Sequence, residues 1–152
     1  AMRELLGSGA VAAGKPLAHA DYDRFRDELL RGCRRLGFFD AKYRRSELRI
    51  DLAARTATAR LDLACGARYV FDGVEISGTR VDHALLAPLA PFRAGEPFDG
   101  ELVRRFERRL RDTGFFRDVA VRVTPGEDGR VAVLALVEDI TTSRYEIGAG
   151  FS

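Results

Sequence analysis

The chain has 152 residues, of which 46% are apolar and 32% charged, with a formal net charge of +2. That size and balance fit one domain or two small ones, exclude general disorder, and give no global pull toward nucleic acid or anionic lipid. No run of about 18 apolar residues could cross a bilayer as a helix. The two cysteines, Cys33 and Cys65, are too few for a disulfide framework and lack the spacing of a metal site.

In chain order, Gly14-Lys15-Pro16-Leu17 precedes a long helix over about Asp21 to Leu36, with Tyr22, Phe25, Leu29 and Cys33 on its inward stripe. Gly37-Phe38-Phe39-Asp40 follows it. Two strands are predicted over about Phe39–Leu52 and Thr56–Ala64. The apolar phase slips between Tyr43 and Leu48, which predicts a bulge near Arg44-Arg45. Tyr69 to Ser77 alternates through Phe71, Val74 and Ile76 and stops at Gly78, as a strand does. A short helix is predicted from Val81 to Leu89, halted around Pro88 and Pro91, then a turn-rich loop to Pro97. Asp99 can cap a longer helix over Gly100–Thr113, whose stripe is Leu102, Val103, Phe106 and Leu110. Gly114 suits the left-handed residue that ends it. Val119, Val121 and Val123 alternate as a second strand, Pro125–Gly129 turns the chain, and Val131–Val137 is a third strand.

These elements repeat. Gly37-Phe38-Phe39-Asp40 recurs as Gly114-Phe115-Phe116-Arg117, and Phe25, Leu29 and Cys33 keep the same distance from their glycine as Leu102, Phe106 and Leu110. Arg68-Tyr69 recurs as Arg144-Tyr145, and Gly14-Lys15-Pro16-Leu17 as Gly95-Glu96-Pro97-Phe98. Four matches in one order mean two copies of one unit of about 75–80 residues. The complete copy reads strand–helix–helix–strand–strand. The expected division is a partial unit over 1–66, a complete unit over 67–143, and a separate segment over 144–152. The opening strand of the first copy would lie upstream of residue 1.

The Gly-aromatic-Phe after each long helix, the Gly-x-Pro before it and the Arg68–Gly78 strand together resemble the POTRA domains of outer-membrane assembly factors, the superfamily that includes BamA. The closing Arg144–Ser152 resembles the junction of the last POTRA domain with the barrel in its TamA branch. Tyr145, Ile147, Ala149 and Phe151 alternate there with small or polar residues, as in a transmembrane barrel strand. Cys65-Gly66-Ala67 departs from the family pattern, which places a proline third. The resemblance implies an α+β fold of two tandem POTRA repeats, each β-α-α-β-β, with a three-stranded mixed sheet and two helices on one face. It implies the periplasm of a Gram-negative bacterium, attachment to the outer membrane through a C-terminal barrel, no enzyme activity and no cofactor. It implies a role in inserting outer-membrane proteins and autotransporters. It also implies a TamB-like inner-membrane-anchored partner and unfolded outer-membrane protein clients.

A small sheet with helices on one face leaves open edges that can accept an extended peptide as a further strand. The POTRA resemblance puts that edge at Asp118–Pro125, which makes Asp118, Val119, Ala120, Val121, Arg122 and Val123 the candidate partner-binding residues. Registering Arg68 on Arg144 turns Val133, Ala135 and Val137 toward the helices and Leu134 and Leu136 away from them. Those leucines are then either a contact site for barrel, partner or lipid, or a surface covered by a loop or the neighbouring repeat. Cys33 and Cys65 are expected to lie close, either bridged or as two packed thiols. The Arg144–Ser152 tail is expected to pair with an open sheet edge of a neighbouring molecule, such as Thr56–Ala64.

Other features read more plainly. His19 and His83 have no second ligand at metal spacing. Arg104, Arg105, Arg108, Arg109 and Arg111 share their helix with Glu101, Glu107 and Asp112, which describes a solvated, ion-paired face. The Phe38-Phe39 and Phe115-Phe116 pairs read as core, and Gly7–Gly9 lacks the lysine of a phosphate loop. The alternative function is an Arg-rich nucleic-acid-binding α/β module.

Overall fold

A computed structural model of the chain describes residues 19–140, His19 by its backbone alone. The Gly14–Leu17 motif, Gly7–Gly9 and the closing Arg144–Ser152, with its expected strand pairing, lie outside the described residues. Helix α1 spans His19–Arg35, with Asp21 in its first turn and Arg34 and Arg35 in its last, both signs suiting the helix dipole. It ends in a Schellman motif: the Phe38 N–H reaches the Cys33 carbonyl at 3.0 Å and the Gly37 N–H the Arg34 carbonyl at 3.1 Å. Gly37 takes φ +91°, the left-handed region that such an ending needs.

Strands β1 (Lys42–Asp51) and β2 (Thr56–Ala64) form an antiparallel hairpin. The register shifts between Tyr43 and Arg45, at the expected bulge. The expected start of β1 at Phe39 is corrected to Lys42, because Phe39 and Asp40 make contacts to the second unit described below. Tyr22, Cys33 and Ala41 are the buried hydrophobic residues among those described in this first unit. The Tyr22 hydroxyl pairs with that of Ser46 at 3.0 Å, and the Tyr43 hydroxyl donates to the Arg26 carbonyl at 2.9 Å. Residues 51–60, the far end of the hairpin, are all exposed.

The second unit runs β3 (Val70–Ser77), α2 (His83–Leu86) with a 3-10 turn at Ala87–Leu89, α3 (Gly100–Asp112), β4 (Phe116–Pro125) and β5 (Arg130–Asp139). The single helix expected over Val81–Leu89 is thus corrected to one short α-turn and one 3-10 turn, as suits a segment containing Pro88, which has no N–H to donate. The Asp99 side chain caps α3 by accepting from the Glu101 N–H at 2.8 Å. Strand order is β3-β5-β4, with β3 parallel and β4 antiparallel to β5, a mixed sheet.

Alternation builds the core. Val131, Val133, Ala135 and Val137 of β5 are all buried, and Phe71, Leu86, Phe106 and Leu110 close over them from β3, α2 and α3. Phe92 stacks on Phe71 at 4.0 Å and meets Phe106 edge-on at 5.9 Å. Gly78, at φ +91°, permits close passage of the chain: a Cβ there would lie 2.2 Å from the Val137 carbonyl oxygen. Just beyond, the Asp139 carboxylate accepts from the Thr79 hydroxyl and the Arg80 N–H, tying the end of β5 to the end of β3.

Phe106→Ala is expected to cost about 3–5 kcal/mol in urea unfolding, whereas Leu52→Ser at the exposed hairpin turn should stay within about 0.5 kcal/mol. Equal costs would contradict this placement of the core. The hydrogen bond from Thr79, then that from Arg80, holds the Asp139 carboxyl below the usual carboxylate range. Its stabilisation is therefore fully present above the ordinary aspartate pKa and lost as pH falls through the depressed folded value. Asp139→Asn should flatten the acid limb of the stability profile; an unchanged acid limb would show that the latch contributes nothing.

Candidate functional site: an open sheet edge and the joint beside it

Because β5 lies between β3 and β4, the sheet has two edges. The outer side of β3 is engaged at its start, over Tyr69–Phe71. Phe71 donates to the Glu96 carbonyl at 2.9 Å and accepts from Gly95 at 2.8 Å, Phe98 donates to the Tyr69 carbonyl at 2.9 Å, and Val70 bridges Pro97. Among the described residues, no strand pairs with the outer side of β4. One side chain reaches it: the Arg111 guanidinium donates to the Val119 carbonyl at 2.8 Å and also pairs with Glu107. That carbonyl therefore points away from β5. Since backbone groups alternate along a strand, the N–H and C=O of Val119, Val121 and Val123 face outward and those of Ala120 and Arg122 face β5.

The six candidate edge residues differ in exposure. Asp118, Ala120 and Arg122 are exposed, Val121 and Val123 half-buried, and Val119 buried against the helices. On the sheet face away from the helices, Leu134 sits between Arg122 and Glu75, and Leu136 between Ala120 and Ser77. Both leucines are half-buried, not fully exposed. Val123 also lines a cleft of about 640 Å³ whose opposite side is Phe25 and Leu29 of α1, with Arg34 and Arg35 alongside.

That cleft exists because the two units dock. Arg68 donates to the Leu36 carbonyl at 2.9 Å and to the Phe98 carbonyl at 3.0 Å. The Tyr69 N–H donates to the Gly37 carbonyl at 2.9 Å, and its hydroxyl donates to the Asp40 carboxylate, 3.2 Å from each oxygen. Phe39 packs at 5.3 Å on Tyr69 and at 5.2 Å on Phe98. Burial, and then the Asp40 charge, push the Tyr69 hydroxyl above its usual pKa. A Cβ on Gly37 would fall 3.1 Å from both Cβ and O of Phe98, so this glycine serves the joint as well as the helix end. The sequence displays both motifs, Gly37–Asp40 and Arg68-Tyr69, as repeats but does not show that they meet. Neither does it show that Arg111 touches the strand edge.

The remaining candidates fall away from the site. His83 is exposed. Arg104 pairs with Glu101, which lowers the carboxyl of Glu101 below its usual range, and Arg109 donates to the Leu89 carbonyl at 3.2 Å. Arg104, Arg109 and Arg111 of α3 are thus engaged within the unit. Among the described residues, no group of three or more His, Cys, Asp or Glu could hold a metal ion, and no helix is long and apolar enough to cross a membrane.

Residues 69–139 match the family model POTRA, described as a surface antigen variable number repeat. A structure of POTRA domains 3–5 of BamA from Haemophilus influenzae aligns with a TM-score of 0.64 at 23% identity, covering 91% of this chain and 54% of that one. BamA from Haemophilus ducreyi lacking POTRA domains 1–3 aligns with a TM-score of 0.66 at 14% identity, covering 91% of this chain and 27% of that one. The chain thus spans about half of the first and a quarter of the second. The fold is the α+β fold of BamA POTRA domains, with a second, two-stranded sheet beside the three-stranded one.

Arg68→Ala leaves two carbonyls without their donor and should cost about 1–2 kcal/mol in urea unfolding. Arg68→Lys should recover only part of it, because a point charge cannot span both acceptors as the guanidinium fork does. Full rescue by lysine would contradict the bidentate reading.

Proposed function

We propose, from the premise that residues 69–139 are a POTRA domain, that this chain is periplasmic scaffold of an Omp85-superfamily outer-membrane β-barrel assembly or secretion factor. In this reading it binds extended client or partner polypeptides by strand addition to the outer edge of β4. The single observation that carries the proposal is the outer edge of β4: no described strand pairs with it and Val119, Val121 and Val123 present outward backbone groups along it, whereas the start of β3 is engaged by residues 95–98. Main-chain hydrogen bonds give such an edge affinity with little sequence preference, which suits unfolded β-rich clients. Arg111 would yield the Val119 carbonyl to an incoming amide, and its ion pair with Glu107 gives it an alternative partner.

The finer reading places the chain in the TamA branch, on the strength of the Arg68–Gly78 strand and the barrel-like pattern of Arg144–Ser152. The partner would then be TamB-like and inner-membrane-anchored, and the clients would include autotransporters. Attachment to the outer membrane would come from a C-terminal barrel. Leu134, between Arg122 and Glu75, and Leu136, between Ala120 and Ser77, would be a secondary contact on the same strand layer. The nucleic-acid alternative is not favoured: Arg104, Arg109 and Arg111 of α3 are spent on Glu101, Leu89, Glu107 and Val119.

A peptide of alternating apolar and polar residues, taken from an outer-membrane barrel strand, should perturb the amide resonances of 118–124 selectively in an NMR titration. Val121→Pro, which deletes an outward N–H, should weaken this binding about tenfold or more, and Val121→Ala, which keeps the N–H, should not. Equal binding by both variants, or perturbation centred elsewhere, would overturn the proposal.

A further inference from the structure

The cleft beside β4 has a floor and a rim of different chemistry. Phe25 and Leu29 of α1 face Val123 of β4 across it. All three are half-buried, so apolar side-chain surface is left at the opening. Along the rim, Arg31, Arg34 and Arg35 stand against Glu28, and all four are exposed. Glu101, whose carboxyl is lowered first by Arg104, also draws on Arg35. Arg31 and Arg34 make no ion pair among the described residues. The cleft thus joins apolar surface to two uncommitted cations.

Its position relative to the open edge is specific. Val123 lines the cleft with its side chain and turns its N–H and C=O outward, in step with Val119. Residues paired across two strands place their side chains on the same face, with Cβ atoms about 4.5–5.5 Å apart. A strand added to β4 therefore sends the side chain opposite Val123 into the cleft. The side chains two positions before and after it point to the same side, and its immediate neighbours point to the other. At about 640 Å³ the cleft has room for more than one side chain.

We propose that this cleft is a side-chain pocket for the strand added to β4. It selects a large apolar residue opposite Val123 and an acidic residue two positions away on the same face. The inference rests on the strand-addition reading and goes beyond it. Main-chain bonds along the edge carry little sequence preference, whereas a pocket at one end of β4 sets the register and the kind of segment held. Charge complementarity decides the occupant. A basic segment would meet three arginines against Glu28, and a wholly apolar one would leave Arg31 and Arg34 without a partner. In this arrangement α1 of the first unit reads a segment that β4 of the second unit holds, and the docking of the two units brings the two functions together.

The test uses the whole chain and a series of extended peptides. The parent peptide carries one Phe with a Glu two positions before or after it; the others replace the Glu by Ser or Lys, or the Phe by Ala. NMR titration gives the affinities, amide exchange at Val119 and Val121 reads strand addition, and intermolecular NOEs place the Phe ring. The Glu peptide should bind about fivefold tighter than the Ser peptide, with a preference that shrinks as salt rises. It should bind about tenfold or more tighter than the Ala peptide, with ring NOEs to the Leu29 and Val123 methyls. Arg31→Gln with Arg34→Gln should abolish the preference for Glu over Ser, and Arg31→Glu with Arg34→Glu should transfer it to the Lys peptide. Protection of Val119 and Val121 by all the peptides at equal affinity would overturn the pocket and leave strand addition standing. Ring NOEs elsewhere, or a preference for Glu that survives in both double variants, would also overturn the pocket. Absence of protection by every peptide would overturn strand addition and the pocket with it.

Discussion

A backbone amide or carbonyl taken from water must find a partner, and in the second unit β5 supplies those partners on both of its sides. Its buried Val131, Val133, Ala135 and Val137 hold it against the helices, so it cannot move to an edge without exposing the core. With β5 in the middle, β3 and β4 become edges by necessity. What distinguishes them is local chemistry. Pro97 bridges Val70, and Gly95 and Glu96 bond to Phe71, so the loop before α3 covers the start of one edge, while among the described residues the Arg111 guanidinium is the side chain that bonds to the other. A reversible, polar cover protects such an edge from aggregation while leaving it able, on the proposed reading, to accept a strand.

The same core fixes the joint. Phe98 packs on Phe71 within the second unit at 5.0 Å and on Phe39 of the first at 5.2 Å, so one ring belongs to both. Tyr69 leads directly into β3 and reaches back to Gly37 and Asp40. Displacing the first unit would therefore disturb the strand whose position leaves β4 open. The cleft between Val123 and the α1 residues Phe25 and Leu29 is the geometric result of that docking. A polypeptide added to β4 would run past this cleft, which gives the joint a bearing on which segments fit.

Much of the fold was legible because its signals are local. Period-two alternation gave β2 its bounds at Thr56–Ala64, the phase slip located the bulge at Tyr43/Arg45, and Asp99 and Gly114 marked the two ends of α3. Internal repetition, read with the family resemblance, gave the order of elements. What escaped was set by partners distant in sequence. Phe39 alternates like a strand residue, but its ring is claimed by Tyr69 and Phe98, so β1 begins three residues later. Arg111 resembles its solvated neighbours on α3, and only the packing of that helix over the sheet brings it to the Val119 carbonyl. The extent of the Leu134 and Leu136 surface is likewise set by neighbours on both adjacent strands, and both side chains are half-covered.

Amide hydrogen exchange across β4 tests the central claim most directly, because it reads which backbone groups lack a partner. In the free protein, the N–H groups of Val119, Val121 and Val123 should exchange fast and those of Ala120 and Arg122 slowly, in strict alternation. Addition of an extended outer-membrane strand peptide should slow the first set and leave the second unchanged. Uniform protection along β4 in the free chain, or no added protection at a saturating concentration of peptide, would contradict the account.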